Sequence, residues 1–259
     1  MTALYDSHCH LDAPEFDPDR PAVVARARAA GVQWQLVPAV SRAAWPALRD
    51  ACALDEGLLP AYGLHPMFLD QHRDEHLDEL ADWLATERPA AVGECGLDYF
   101  VQGLDPDRQR HFFQAQLDLA RDFDLPVVLH ARRAVDEVIT RLRRTGGLRG
   151  VVHSWSGSEE QARQLFDLGF HLGIGGPVTF DRAQRLRRTV ASMPIEFLLL
   201  ETDAPDQPGA GHRGERNEPA YLPEVLAVVA TLRGESPEAI AAATTANARK
   251  LFVRRPAAA

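Results

Sequence analysis

Eight short apolar segments, separated by longer polar and helical stretches, most constrain how this chain can fold. Most of them are apolar on both faces and end at glycine, proline or a polar residue, as strands buried in a parallel sheet do. The predicted strands are Ala3–His8, Gln33–Val40, Leu58–Gly63, Ala90–Gly93, Pro126–His130, Gly150–His153, Phe170–Gly173 and Glu196–Glu201.

Segments with helical periodicity lie between and after these strands. They are Pro21–Ala30, Asp74–Arg88, Pro106–Asp122, Ser158–Leu168, Pro219–Thr231 and Ser236–Leu251, and Arg141 lies on a further predicted outer helix. Strands alternating with helices over 259 residues predict the α/β class and one (β/α)₈ TIM-type barrel, with its active site at the C-terminal ends of the strands. A doubly wound open sheet, the main alternative, would need a glycine-rich turn where this chain has His8-Cys9-His10.

The predicted barrel takes up the whole chain, residues 1–259, as a single domain. Residues 254–259 are expected to form a frayed tail. The longest apolar runs fall far short of the roughly 20 residues that span a bilayer, and the N-terminus lacks the basic and apolar regions of a signal peptide. We therefore expect a cytoplasmic protein that has no membrane partner and no obligate protein partner.

Composition excludes several other classes of protein. The hydrophobic fraction of 46% and the charged fraction of 25% are ordinary for a globular chain and exclude general disorder. Three cysteines without C-x-x-C spacing predict neither a disulfide framework nor a zinc ribbon. Lys250 is the only lysine, so the chain has no lysine-containing phosphate loop. The net charge of −9 means that a polyanionic partner must be held by a local basic patch.

Side chains that can bind metals collect at the ends of the predicted strands. Alternate residues of an extended segment share a face, so the imidazoles of His8 and His10, an H-x-H pair, can bind one ion. Imidazoles and carboxylates without thiolate suit zinc, manganese or another borderline-to-hard divalent ion. Any one such residue could be an ordinary polar group at a barrel rim, but together they predict a metal site. The candidates are His8, His10, Glu94, His130, His153 and Asp203.

Seven segments, in collinear order over nearly the whole chain, resemble motifs of the TatD-type metal-dependent hydrolases, many of which are known as deoxyribonucleases. Cys95, where an aliphatic residue is usual, and Ser154-Trp155, where Cys-Phe is commoner, depart from the pattern without altering a ligand position. The segments are Asp6-Ser7-His8-Cys9-His10-Leu11, Gly63-Leu64-His65-Pro66, Gly93-Glu94-Cys95-Gly96-Leu97-Asp98-Tyr99, Pro126-Val127-Val128-Leu129-His130-Ala131-Arg132, His153-Ser154-Trp155-Ser156-Gly157, Leu199-Leu200-Glu201-Thr202-Asp203-Ala204-Pro205 and Arg216-Asn217-Glu218-Pro219.

The resemblance implies how the candidate ligands divide between two divalent ions per chain, which would be zinc, manganese or magnesium. One ion would be held by His8, His10, Glu94 and Asp203, and the second by Glu94, His130 and His153. Glu94 would then bridge the two ions. The resemblance also implies a nucleic-acid substrate, either a DNA end or a single strand.

The candidate ligands predict a divalent-metal-dependent hydrolase, and the resemblance implies one that acts on ester bonds. In particular it implies a deoxyribonuclease, which we expect to work as a 3'-5' exonuclease on single-stranded ends. Bound divalent ions lower the pKa of water to near 7, which supplies a nucleophile at neutral pH. Asp203 is the predicted general base. Glu201 shares its strand face and is the second catalytic assignment, as a carboxylate that orients a ligand histidine, unless it simply pairs with an arginine.

Two further residues are predicted to contact phosphate, and the alternatives for them stay open. His65 closes the third predicted strand, and Arg132 has a guanidinium that matches phosphate geometry but could equally form a rim salt bridge. Tyr99, Phe100 and Trp155 could stack on a base or pack in the core.

The same dinuclear site could also hydrolyse a different bond: an amide, ester or lactone in a small molecule, or an aminoacyl ester on tRNA. A non-enzymatic metal-binding or scaffold protein is the third possibility. It predicts missing ligands, whereas every ligand position is filled here.

Overall fold

The computed structural model describes residues 3–252 and contains one eight-stranded parallel sheet whose strands follow chain order. The sheet closes on itself, because the Ser7 amide donates to the Leu200 carbonyl and the Asp203 amide donates to the His8 carbonyl, both at 2.9 Å. The predicted barrel is therefore confirmed, while residues 254–259 lie outside the described part of the chain. The strands are β1 (Leu4–Asp6), β2 (Val32–Pro38), β3 (Leu58–Tyr62), β4 (Ala91–Asp98), β5 (Val127–Arg132), β6 (Gly150–Val152), β7 (Phe170–Ile174) and β8 (Leu198–Leu200).

Nine α-helices are found within residues 3–252, and the sequence patterns identify most of them. Asp105 and Ser158 accept hydrogen bonds from backbone amides at the helix starts predicted there. Two short helices were not predicted, since one has eight residues and the other buries only Thr189 and Val190. The helices are α1 (Arg20–Ala29), α2 (Trp45–Cys52), α3 (Glu75–Glu87), α4 (Pro106–Asp122), α5 (Val135–Thr145), α6 (Glu159–Asp167), α7 (Gln184–Ser192), α8 (Leu222–Arg233) and α9 (Pro237–Phe252).

Several strand boundaries differ from the predictions, and β4 differs most. It continues to Asp98, so Glu94 lies within a strand instead of after one. Gly96 makes this extension possible: its φ is +142°, and a Cβ built there would lie 2.0 Å from the His130 carbonyl oxygen. Only glycine lets the backbones of β4 and β5 approach this closely. By contrast, β1 ends at Asp6, two residues before the predicted end.

Side-chain alternation along the strands determines what lies inside the barrel. One buried cluster collects a single residue from most strands, including Tyr5, Val128, Val151 and Leu199, and the C-terminal residues of α9 pack against it. Residues two positions further along a strand share the same face. The inward face therefore changes from apolar to polar toward the C-terminal ends of the strands. The ligand candidates His130 and His153 follow Val128 and Val151 at i+2, and Glu201 follows Leu199 in the same way.

Most of the other apolar strand residues belong to a larger apolar cluster that they form with residues of the helices. No helix within residues 3–252 has both the length and the apolar character needed to cross a membrane.

Candidate metal centre

The two histidines of the H-x-H pair follow β1 and bring their Nε2 atoms within 3.2 Å of each other. Asp6 shapes this turn, because its Oδ1 accepts from the His8 amide at 3.2 Å and its Oδ2 from the Thr202 hydroxyl at 2.6 Å. The His10 Nδ1 lies 3.1 Å from the Pro38 carbonyl oxygen, which can only accept. His10 therefore carries its proton on Nδ1, and the lone pair of Nε2 points into the barrel.

Glu94 lies at the centre of the site and is only 1% exposed. Its Oε2 is 3.2 Å from the Nε2 of His8 and 3.4 Å from that of His10. Its Oε1 faces a different set of imidazoles, at 2.8 Å from His153 Nε2, 2.9 Å from His65 Nε2 and 3.1 Å from His130 Nδ1. The two oxygens of one carboxylate thus face two different sets of imidazole nitrogens.

Asp203 completes the group on the His8 side. Its Oδ1 lies 3.5 Å from His8 Nε2 and 3.8 Å from His10 Nε2, while Gln207 donates its side-chain amide to Oδ2. Its backbone has a φ of +57°, a left-handed conformation that is uncommon outside glycine and that Asp tolerates better than most residues. Such conformations concentrate at functional sites, where the surrounding structure enforces them.

Asp98, which the sequence analysis did not single out, fixes the orientation of His130. Its Oδ2 lies 2.9 Å from His130 Nε2, and Asp98 itself is fully buried. The carboxylate holds the imidazole proton on Nε2 and leaves the Nδ1 lone pair available for a metal ion, as carboxylates behind metal-binding histidines do. Its position in the Gly-Leu-Asp-Tyr segment could have identified it, because this segment ends β4, the strand that also carries Glu94.

Glu201 lies behind His153, with its Oε1 3.9 Å from the imidazole Nδ1. The same oxygen accepts from the Ser154 amide at 2.5 Å, whereas Oε2 is buried without a hydrogen-bond partner. Gly173 of β7 makes room for the carboxylate, since a Cβ there would lie 1.9 Å from Oε2. Within the described residues no arginine pairs with Glu201, and its carboxylate lies instead beside His153 and the Ser154 amide.

Burial and mutual contact shift the pKa values of these groups strongly. Burial alone would raise the pKa of Glu94, but the imidazoles of His153, His65 and His8 hold it well below its usual range. Burial raises the pKa of Glu201 to about 8 and also raises that of Asp203. The imidazoles around Glu94 thus outweigh the effect of burial on its pKa, whereas burial dominates for Glu201 and Asp203.

The donor set fits divalent cations. Three groups of side chains each bring one ligand atom within 4.8 Å of the others: His8, Glu94 and His153; His8, His10 and Asp203; and His65, Glu94 and His130. Lone pairs of neutral imidazoles that face a carboxylate oxygen repel it unless a proton or a metal ion lies between them. Nitrogen and carboxylate oxygen ligands without thiolate match zinc, manganese and related ions.

The predicted phosphate-binding residues lie in different surroundings. His65 Nδ1 accepts from the Met67 amide at 3.1 Å, so its Nε2 proton points at Glu94 and the side chain lies inside the centre. Arg132 is exposed, and its guanidinium carbon lies 3.7 Å from the centroid of the Phe100 ring. The salt bridge considered for Arg132 is absent among residues 3–252. Trp155 is buried, as are Cys9 and Cys95.

A parallel barrel whose C-terminal mouth gathers imidazoles and carboxylates defines a metal-dependent hydrolase of the TIM-barrel class. Comparison with known proteins refines this class. The family model described as TatD-related DNase matches residues 5–253, and the chain belongs to that family. The resemblance found in the sequence motifs is thereby confirmed.

Individual relatives are similar over nearly their whole length. A metal-dependent hydrolase of Escherichia coli K12, YjjV, is 42% identical and is matched over 95% of this chain and 96% of its own. Its crystal structure superimposes with a TM-score of 0.92 over 97% of this chain and 98% of that one, at 40% identity. A Cronobacter sakazakii protein named 3'-5' ssDNA/RNA exonuclease TatD is 36% identical over 97% of this chain and 98% of its own.

Proposed function

We propose that this hydrolase uses two divalent ions to cleave phosphodiester bonds at the 3' end of single-stranded DNA. The observation that carries the proposal is the arrangement around Glu94, whose two oxygens face two distinct groups of imidazoles. A carboxylate shared in this way is the feature expected of paired ions that act together on one phosphate.

The side chains divide naturally between two sites. His8, His10 and Asp203 would hold one ion together with Glu94 Oε2, and His130 and His153 would hold the other with Glu94 Oε1. Zinc, manganese or magnesium would supply an activated water at neutral pH and would neutralise charge on the phosphate.

The protein side chains would move and hold protons around this centre. Asp203 is the proposed general base, because its Oδ1 faces the metal-binding histidines while Gln207 holds Oδ2 in place. Glu201 is proposed to orient His153 from behind. His65 would keep Glu94 in position through its Nε2 proton. The exposed Arg132 would contact a phosphate of the substrate.

The choice of a single-stranded end rests on the barrel and on charge. A site at the bottom of a barrel mouth admits a strand end more easily than a rigid duplex. The net charge of −9 opposes extensive binding along a polyanion, so contact over a few phosphates is favoured. The Cronobacter relative named as a single-strand exonuclease supports the same choice.

The test compares labelled oligonucleotides with small carboxylic esters and lactones, using one metal-loaded preparation whose metal content is measured by elemental analysis. We expect release of nucleotides from strands with a free 3' end, and none from strands whose 3' end is blocked. Faster turnover of the esters or lactones, or undiminished nuclease activity in verified metal-free protein, would refute the proposal.

The substitution Asp203→Asn tests the general base. We expect kcat to fall by about 10²–10⁴-fold, the usual contribution of general acid–base catalysis. Asp206→Asn is the matched control, because Asp206 is exposed three residues away and only its backbone takes part in nearby hydrogen bonds. Near-normal turnover by Asp203→Asn would exclude this role.

A further inference from the structure

Phe100, Arg132 and Arg133 form an exposed cluster beside the metal centre, here called the arginine clamp. The Phe100 side chain is 45% exposed, which is unusual for a large apolar residue. The guanidinium carbon of Arg132 lies 3.7 Å from its ring centroid, and that of Arg133 lies 4.7 Å away. Two cations therefore share one aromatic ring.

Both guanidinium groups keep their hydrogen-bond donors available. Neither arginine forms an ion pair or a side-chain hydrogen bond within residues 3–252, whereas nearby Arg110 binds both Glu137 and Asp107. Stacking on a ring uses the flat face of a guanidinium and leaves its five edge N–H groups free. The ring thus holds the arginines in place without neutralising them.

The backbone of Arg133 also indicates a functional constraint. Its φ is +56°, in the left-handed region that few residues other than glycine adopt. This conformation lets two consecutive arginines approach the same ring, although side chains alternate between faces in a regular strand. Conformations of this kind persist where the surrounding structure enforces them, often at binding sites.

A single buried carboxylate connects the clamp to the metal centre. Asp98 Oδ1 accepts from the Phe100 amide at 2.8 Å, while Asp98 Oδ2 lies 2.9 Å from His130 Nε2. Arg132 pairs with Asp98 in the sheet register and follows His130 by two residues on β5. The clamp therefore lies next to the proposed ions, within reach of a strand bound there.

The geometry points to the arginine clamp as a binding site for the internucleotide phosphates of an unpaired strand, with Phe100 as the residue that positions both guanidinium groups. The proposal rests on the proposed function for the identity of the strand. It adds Arg133 to the substrate contacts, makes Phe100 the residue that positions both arginines, and assigns to Arg132 a phosphate next to the one being cleaved. Consecutive phosphates of a flexible single strand can reach both arginines.

Equilibrium binding tests the clamp independently of catalysis. The probe is a labelled single-stranded oligothymidine with phosphorothioate linkages, which resist hydrolysis, and the metal-loaded protein is titrated between about 50 and 200 mM salt. Arg132→Ala and Arg133→Ala should each make the slope of log K against log salt shallower by about 0.7, the value for one lost phosphate contact on a single strand. Phe100→Leu should weaken binding about two- to fivefold, as loss of an exposed cation–π contact does.

Arg144→Ala is the matched control. Arg144 is an exposed arginine in the last turn of α5 and so lies toward the opposite end of the barrel. It removes the same charge from the chain and should leave the slope unchanged. Unchanged slopes for Arg132→Ala and Arg133→Ala relative to this control would overturn the proposal.

Cleavage of an unmodified strand by the wild-type protein separates this proposal from the proposed function. If that strand is cleaved but the slopes do not change, the clamp is wrong and the nuclease assignment stands. If the slopes change but no strand is cleaved, the clamp stands and the proposed reaction fails. Replacing single linkages by uncharged methylphosphonates should weaken wild-type binding at one or two positions and have no effect at those positions in the arginine variants.

Discussion

Gly173 provides a specific test of how the barrel interior supports the metal centre. A Cβ at this position would lie 1.9 Å from Oε2 and 2.6 Å from Cδ of Glu201. Carbon and oxygen atoms that are not bonded pack no closer than about 3 Å, so Gly173→Ala must displace the carboxylate by about 1 Å. Glu201 is fully buried and its Oε1 is held by the Ser154 amide, so the side chain cannot move into solvent.

The expected cost of Gly173→Ala follows from this geometry. Overpacking a tight interior costs about 1–3 kcal/mol, and for a chain of this size about 2 kcal/mol lowers Tm by about 4–8 °C. Displacement of Glu201 should also disturb His153, so kcat of the metal-loaded enzyme should fall together with stability. Thermal unfolding and steady-state kinetics of one preparation measure both effects.

Gly175→Ala is the matched control, since its Cβ would lie no closer than 3.3 Å to any Glu201 atom. We expect it to lower Tm by less than Gly173→Ala does. In a Glu201→Ala background the added methyl group has room, so Gly173→Ala should cost almost nothing there, giving a coupling energy of about 1–3 kcal/mol. An equal cost in both backgrounds would show that the clash does not involve Glu201, and the reasoning would fail.

Two further predictions concern the carboxylates around the centre and on the helices. Asp98→Asn should weaken metal binding about 10–100-fold, because the His130 proton is no longer held by a carboxylate. Competition with a chromophoric chelator measures the metal affinity, and an unchanged affinity would contradict the prediction. Hydrogen bonds from Arg110 lower the pKa of Glu137 to about 2, below the ordinary 4.5. Its contribution to stability is therefore full above about pH 4.5 and is lost as pH falls toward 2. Because the pair is partly exposed, the contribution should stay below about 1 kcal/mol. Urea unfolding of wild type and Glu137→Gln at pH 7 and at pH 3 should show the difference shrinking, and a constant difference would count against the pair.

The barrel was predictable because its determinants are local. Each strand is a short apolar run with clear ends, and helices such as Pro106–Asp122 carry an N-cap and an apolar face within their own sequence. The helices that were missed, α2 and α7, are short, and their contribution to the core depends on neighbours. The predicted strand at β4 ended too early because Gly93 looks like a strand end in the sequence. In the structure the strand continues to Asp98, and Gly96 permits its close contact with β5.

The candidate ligands were predictable for a related reason. In a parallel barrel the C-terminal ends of all strands meet at one mouth, so a polar side chain after an apolar run is directed there. His8, Glu94 and Asp203 could be proposed together without knowing any distance. The groups that hold these side chains from behind are harder to predict. Gln207 and Ser154 gain their roles only from the atoms they touch, and Asp98 is indicated only by its place at the end of β4.

The sequence by itself determined the alternating pattern of strands and helices, the family, and which imidazoles and carboxylates reach the mouth of the barrel, since these depend on residue type and on period-two alternation. Only the tertiary structure decided which oxygen of Glu94 faces which histidine, that Asp98 and Glu201 stand behind His130 and His153, and that two arginines share the Phe100 ring. These contacts bring residues that are distant along the chain to within about 3–4 Å of each other. Closure and packing of the barrel fix such distances, and local sequence patterns do not encode them.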